Sequence, residues 1–191
     1  MESSRCDWCG NLPIYINYHD QEWGVPEYES RALWEKLVLD GFQAGLSWLT
    51  ILKKRDAFRT AFEGFNPEKV AAFSEADVLR LLEDSGIVRH RGKIEAAITG
   101  AQAWIKMEEK QGFDQLMWDY VGGTPLVNRF ATMAEVPPSS DLSVRISKDL
   151  KAAGFKFCGP TIVYAWMEAT GLINDHLITC HRHEKVKQFV R

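Results

Sequence analysis

The chain has 191 residues, 46% of them hydrophobic and 26% charged, with a formal net charge of −3. That length suits one domain, or two small lobes sharing a core, and the near-neutral balance gives no global sign of a polyanionic partner. Its apolar runs fall short of the ~18 residues that cross a membrane, and its start lacks the charged and apolar regions of a secretory signal, so a cytoplasmic protein with reduced cysteines is expected.

The N-terminal stretch from Cys6 to Gly24 carries two metal-ligand types, Cys6 and His19, and four aromatic rings, Trp8, Tyr15, Tyr18 and Trp23. Chain ends fray unless tied down, and rings left in water forfeit their burial, so this segment needs an anchor. The far end offers one, because His176 and Cys180 make a second His/Cys pair. Two thiolates and two imidazoles suit tetrahedral zinc, and a closed four-ligand shell has no open position for catalysis. Cys6-Asp-Trp-Cys9 is a competing pattern, half of a zinc knuckle or a redox pair, but no second C-x-x-C completes a four-cysteine site.

Ser30 is expected to cap a helix whose apolar residues Leu33, Trp34, Leu37 and Val38 recur at helical spacing and which ends near Asp40-Gly41. Gly41 and Gly45 interrupt the pattern, after which Ser47 caps a helix through Trp48, Leu49, Ile51, Leu52, Phe58 and Phe62. Asn66-Pro67 reads as a cap followed by Pro at the first helical position, and Ser74 with Asp77 as a capping box opening a helix through Leu82. Gly86 ends it. A turn from Ile87 to Gly92 leads to a long helix carrying Ile94, Ala97, Ile98, Ala101 and Ile105. Phe113 to Tyr120 is a short amphipathic piece, Gly122 to Pro125 a turn, and Pro137 to Ser140 a loop. Helices from about Asp141 to Ala153 and from Pro160 to Thr170 follow, the last closed by Gly171. No segment alternates with a strand period, so the reading is all-α, with roughly eight to ten helices in one domain over 1–191.

The last two helices, about 141–171, are joined by Gly154-Phe-Lys-Phe-Cys-Gly159 and form a helix-hairpin-helix pattern. Free N–H groups at the start of the second helix, with Lys148, Lys151 and Lys156 nearby, suit a phosphate, although an ordinary αα-hairpin fits the segment too. The basic clusters Lys53-Lys54-Arg55 and Arg89 to Lys93 are solvated faces or helix ends unless they converge on one surface. His90, His181 and His183 lie in basic, polar segments and read as solvated or phosphate-facing. Trp34, Trp104, Trp118 and Trp166 sit on apolar helical faces and read as core. Trp8, Tyr15, Tyr18, Trp23 and Trp48 flank glycines and irregular chain, which by itself reads as a core edge.

Read together, Tyr15 to Pro26, Gln43-Ala-Gly-Leu-Ser-Trp48, Gly86 to Ile94, Gly154 to Gly159, and Asn174-Asp-His176 with Cys180 resemble the bacterial 3-methyladenine DNA glycosylase I family over nearly the whole chain. The resemblance implies the helix-hairpin-helix glycosylase fold, one structural zinc per chain on Cys6, His19, His176 and Cys180, with Cys9 a spectator, and a base pocket walled by Trp8, Tyr15, Tyr18, Trp23 and Trp48. The pocket carboxylate, in most members a glutamate, falls on Asp40, which is one methylene shorter and asks for a shifted helix end or a bridging water. Leu46 falls on the turn that meets the gap left by the extruded nucleotide, and Lys156 and Gly159 on the DNA side of the hairpin. Asp40 is the candidate catalytic residue. Related glycosylases carry an aspartate beyond the hairpin where this chain has Asn174, followed by Asp175.

The activity implied is release of 3-methyladenine from alkylated double-stranded DNA; no lysine stands in an evident nucleophile setting, so a monofunctional enzyme is expected, and a monomer is the default for a protein that scans DNA. The methylated base is cationic, weakens its own glycosidic bond and suits aromatic walls. Two other readings remain: a non-catalytic, zinc-stapled helix-hairpin-helix DNA-binding module, and a metallohydrolase with catalytic zinc.

Overall fold

The computed structural model describes residues 4–191. The arm makes a 3-10 turn at Asp7–Cys9 and then a helix, α1 (Pro13–Gln21), with Pro at its first turn. This corrects the reading of Tyr15 and Tyr18 as residues of irregular chain: both lie on α1, three apart and so on one face. The second helix, α2 (Ser30–Gln43), is capped by Glu29 and not by Ser30. The Glu29 carboxylate accepts from the Arg31 and Ala32 N–H groups, whereas the Ser30 hydroxyl donates to Glu108 at 3.0 Å. The helix also continues past Asp40-Gly41 to Gln43, since a single internal glycine costs only ~1 kcal/mol.

The caps expected further on form as read. Ser47 accepts from the Thr50 N–H at the start of α3 (Trp48–Ala61), and Asn66 from the Lys69 N–H at α4 (Pro67–Ala71). Ser74 and Asp77 close a capping box on α5 (Glu75–Glu83). The long helix is α6 (Arg91–Glu108), capped by the His90 ring, and α7 (Phe113–Asp119) is short. Then come α8 (Asp141–Ala153), α9 (Pro160–Ala169) and α10 (Arg182–Lys185). The all-α reading needs one correction: β1 (Leu126–Val127) and β2 (Ile173–Asn174) pair in parallel, with Leu126 opposite Ile173. No helix among the described residues is long and apolar enough to cross a membrane.

The interior is one cluster threaded by Trp34, Trp104, Trp118 and Trp166, with α2 and α9 at its centre. Trp166 donates its indole N–H to the Leu33 carbonyl at 3.0 Å, which ties α9 to α2. The N-terminal segment is stitched to the end of α9 by Gly24 N–H to Glu168 carbonyl (3.1 Å) and Glu27 N–H to Thr170 carbonyl (2.9 Å). Gly171 makes that approach possible: its φ is +70°, and a Cβ there would stand 2.5 Å from the Pro26 nitrogen. Gly171→Ala is therefore expected to lower stability by at least the ~1–3 kcal/mol of the strained backbone alone, seen as a fall in the thermal unfolding midpoint. An unchanged midpoint would show that the segment yields freely.

Candidate functional site

Two constructions occupy this stitched region. The first gathers Cys6, His19, His176 and Cys180, all buried, with ligand atoms within 4.8 Å of one another. Cys6 precedes the first turn and His19 lies in the last turn of α1, while His176 and Cys180 follow β2. The Cys6 Sγ to His176 Nδ1 distance is 3.6 Å, Cys180 Sγ to His19 Nε2 3.5 Å, and Cys180 Sγ to His176 Nδ1 3.6 Å. Tetrahedral bonds of zinc length to sulfur and nitrogen separate ligand atoms by roughly 3.3–3.8 Å, so the donor set fits such an ion.

The outer contacts select ligating atoms. His19 Nδ1 meets Asp20 at 2.8 Å, leaving Nε2 for the cluster, and His176 Nε2 meets the Trp23 carbonyl at 3.0 Å, leaving Nδ1. Burial opposes ionisation of Asp20, yet its hydrogen bonds from Arg5 and His19 hold it at about 2. Burial also draws His176 below its usual range, favouring the neutral form that ligates. Cys9 is buried but stands outside the cluster, its Sγ facing the Gly10 carbonyl.

The second construction is a cavity of about 220 Å³, small enough for one fused ring system and smaller than typical drug-sized sites. Trp8, Tyr15, Tyr18, Trp23, Asp40 and Trp48, all singled out in the sequence, line it. Trp8 meets Tyr15 and Trp23 edge-on with centroids 5.0 Å apart, and Tyr18 lies 5.3 Å from Trp48. The cavity and the cluster share a wall: Trp23 is edge-on to His176 at 4.5 Å.

Asp40 is 2% exposed and its Oδ2 has no hydrogen-bond partner; nor do the indole nitrogens of Trp8 and Trp48. Buried polar atoms left unpaired cost ~1–3 kcal/mol each, and three around one cavity point to a ligand that satisfies them. Burial pushes Asp40 up to about 7, with the Lys36 ammonium one turn earlier on α2 pulling the other way. Lys36 was missed in the sequence because it reads as an ordinary polar-face lysine. Its Nζ donates to Tyr18 Oη at 2.9 Å and sits 4.4 Å and 4.7 Å from the Tyr18 and Trp48 ring centroids. Burial brings Lys36 down to about 8. With its oxygen taken by Lys36, Tyr18 keeps its own proton to donate, and burial raises the phenol well above its usual range.

Gln43, Met133 and Glu168 also line the cavity and were missed. Gln43 falls after the expected helix end and enters only as the first residue of a family motif, Glu168 carries no signal on its apolar helix, and Met133 sits in a 3-10 turn without periodicity. Asn174 and Asp175 do not line it. Asn174 shapes the metal loop, donating to the His183 carbonyl at 2.9 Å and accepting from the His176 N–H. Asp175 accepts from Asn128 and Tyr164. His183 is buried and bonded to the Asn128 carbonyl, which corrects its reading as a solvated tail residue.

Two residues of one basic cluster, His90 and Lys93, meet the hairpin, while Arg91 pairs with Glu75 at 2.9 Å. Between α8 and α9 the turn places Phe157 at φ +53°, 6.0 Å from the His90 ring and 5.9 Å from Lys93 Nζ. Lys93 also donates to the Phe42 and Ala44 carbonyls at 2.9 and 2.6 Å, binding the start of α6 to the turn carrying Leu46. Leu46 is 44% exposed after Gly45 (φ +79°), and Lys156 is exposed on the hairpin beside Gly159, the N-cap of α9. In the other cluster Arg55 pairs with Glu22 at 2.8 Å, and Lys54 donates to the Ser85 carbonyl at 2.8 Å, just before the turn that leads to α6.

A ring-sized aromatic cavity holding unpaired polar atoms, with helix amides, cations and an exposed leucine on the hairpin and the neighbouring turn, is the plan of a base-extruding nucleic-acid enzyme built on a helical hairpin. The particular family follows from comparison. The chain belongs to the methyladenine glycosylase family, whose model matches residues 8–183. It is 50% identical over 177 residues to DNA-3-methyladenine glycosylase 1 of Escherichia coli, covering 92% of this chain and 95% of that protein. To the DNA-3-methyladenine glycosylase of Haemophilus influenzae it is 44% identical over 179 residues, covering 93% and 97%. The 3-methyladenine DNA glycosylase I of Staphylococcus aureus, solved to show how 3-methyladenine is recognised, matches with a TM-score of 0.91 at 42% identity, over 94% of this chain and 96% of that one.

Proposed function

We propose that this protein is a monofunctional DNA glycosylase that hydrolyses the N-glycosidic bond of 3-methyladenine in alkylated double-stranded DNA, acting as a cytoplasmic monomer. The observation that carries the reading is the ring-sized aromatic cavity holding an unpartnered, buried Asp40. The extruded base stacks among Trp8, Tyr15, Tyr18, Trp23 and Trp48, whose faces attract its positive charge, and Asp40 is the catalytic residue that adds a direct charge interaction. The reaction then asks little of the protein. The cationic base leaves with the bonding electron pair as neutral 3-methyladenine, water adds to the anomeric carbon, and its proton passes to solvent. Asn174 and Asp175 are engaged elsewhere, in keeping with this light demand. Lys36, an amine of lowered pKa, is bonded to Tyr18 and stands outside the cavity lining, which argues against a covalent imine and lyase activity.

Cys6, His19, His176 and Cys180 would hold zinc, with Cys9 a spectator. The ion supplies a cross-link between the chain ends, and four protein ligands complete its shell without a reacting water. DNA is held through the hairpin, with Lys156 and the amides beyond Gly159 meeting phosphate and Leu46 filling the gap left by the base.

Release of 3-methyladenine from methylated duplex DNA, followed by chromatography of the freed bases, tests the activity. Absence of release with intact DNA binding would establish the non-catalytic module instead. Chelation that stops release while the fold persists would favour the metallohydrolase. Leu46→Gly is expected to slow excision from duplex while leaving stability within about 1 kcal/mol, because its side chain meets DNA and not the core. A large fall in the unfolding midpoint would place Leu46 in the core.

A further inference from the structure

We infer that Glu168 is a second base-reading carboxyl, which accepts one hydrogen of the adenine exocyclic amino group while Asp40 accepts the other, and so sets selection of 3-methyladenine against 3-methylguanine. The inference rests on the glycosylase reading above and deepens it at the same cavity. Glu168 stands in the last turn of α9 and lines the cavity that Asp40 lines from α2, so two carboxyl-bearing residues on different helices border one ring-sized space. Asp40 and Glu168 are near enough for the charge of one to bear on the other.

The other face of Glu168 is already engaged. Asp175 stands close enough to bear on the Glu168 carboxyl, and Asp175 accepts from Asn128 Nδ2 at 2.6 Å and from Tyr164 Oη at 2.7 Å. These bonds fix Asp175, whose carboxyl is then a fixed neighbour for that of Glu168. With one oxygen turned to Asp175, Glu168 would keep the other as an acceptor for the cavity. Burial and the neighbouring Asp175 push Glu168 well above the usual carboxylate range, so it adds a directed acceptor with little charge. Asp40 supplies the charge.

Adenine presents one donor group on its base edges, the exocyclic amino group with two hydrogens. Two acceptors facing one cavity match those two hydrogens. Guanine carries a carbonyl at the same ring position, so its lone pairs would meet two carboxyl oxygens, and a site built to bond an amino group rejects a ligand that cannot donate there. Asp40 alone, on its short side chain, would leave one hydrogen of the amino group unpaired.

DNA treated with a methylating agent that yields both lesions reads the selectivity in a single sample. Wild-type protein is expected to release 3-methyladenine well ahead of 3-methylguanine. Glu168→Met, which keeps length but removes the acceptor, is expected to lower 3-methyladenine release ~10–100-fold and to narrow the ratio between the two bases. Glu168→Gln is expected to stay within about threefold of wild type, since its amide N–H can serve Asp175 while its carbonyl serves the base. Glu168→Met with an unchanged ratio, or Glu168→Gln as impaired as Glu168→Met, overturns the assignment. If Glu168→Met does not fold, tryptophan fluorescence of the wild type with free bases decides. There 3-methylhypoxanthine, with a carbonyl in place of the amino group, binding as tightly as 3-methyladenine overturns it, and binding at least ~10-fold weaker supports it. Failure of the wild type to release either base would instead defeat the glycosylase reading itself.

Discussion

Cys6→Ala and His176→Ala are each expected to lose the metal and most of the stability of the fold. The two residues lie 170 positions apart, so an ion between them closes a loop nearly as long as the chain. Closing a loop of that order by a covalent bridge is worth about 4–5 kcal/mol in the chain-entropy model, and structural zinc in small domains contributes more. Whole-domain stabilities are only about 5–15 kcal/mol. A loss of even ~3–5 kcal/mol would lower the unfolding midpoint by roughly 6–20 °C in a protein of this size. The damage would not stop at the metal. The Trp23 carbonyl orients His176 and the Trp23 ring walls the cavity, so loosening the clasp frees one side of the base site. Elemental analysis should find one zinc per chain in the wild type and in Cys9→Ser, and none in Cys6→Ala or His176→Ala. A metal-free wild type, or metal retained in both alanine variants, would sink the clasp.

What could be read in the sequence was local chemistry. Ser47, Asn66-Pro67 and Ser74 with Asp77 act through atoms three or four residues away, so their caps form wherever the chain later goes. The opposite case is α1. It begins at Leu12-Pro13 without a polar cap, and its residues divide between two sites, with Tyr15 and Tyr18 toward the cavity and His19 toward the cluster. No single apolar stripe results, and the helix escaped notice. The β1–β2 pair is two residues long and cannot show alternation. The metal-ligand types were legible because cysteine and histidine carry chemistry by identity. Glu168 was not, because a carboxylate in the last turn of an apolar helix declares itself only when another helix closes a cavity over it. His183 shows the same effect, a polar residue in a polar segment that the β2 region buries.

Asp40→Asn is expected to slow excision ~10–100-fold, about 1.4–2.7 kcal/mol, and to weaken binding of free 3-methyladenine, while affinity for undamaged DNA is little changed. The loss is bounded because the lesion activates its own leaving group, and what the carboxylate adds is preference for a cation over neutral adenine. The charge matters only where Asp40 is ionised, and burial places that transition at about 7. In wild type, kcat/KM should therefore fall as pH drops below about 7, and Asp40→Asn should flatten this acid limb. In kcat the limb should shift to lower pH, since a bound cationic base favours the ionised form. Stability runs the other way. A carboxyl raised from 3.8 to about 7 on folding contributes stability that is full below pH 4 and lost as pH climbs through 7. At pH 8 Asp40→Asn, with no charge to bury, should then unfold at or above the wild-type temperature even as it excises more slowly. Slower excision with a higher midpoint would identify a group held at a cost for its charge. Wild-type rates with an unaltered acid limb would reduce Asp40 to a helix residue and leave selectivity to the aromatic walls and Glu168.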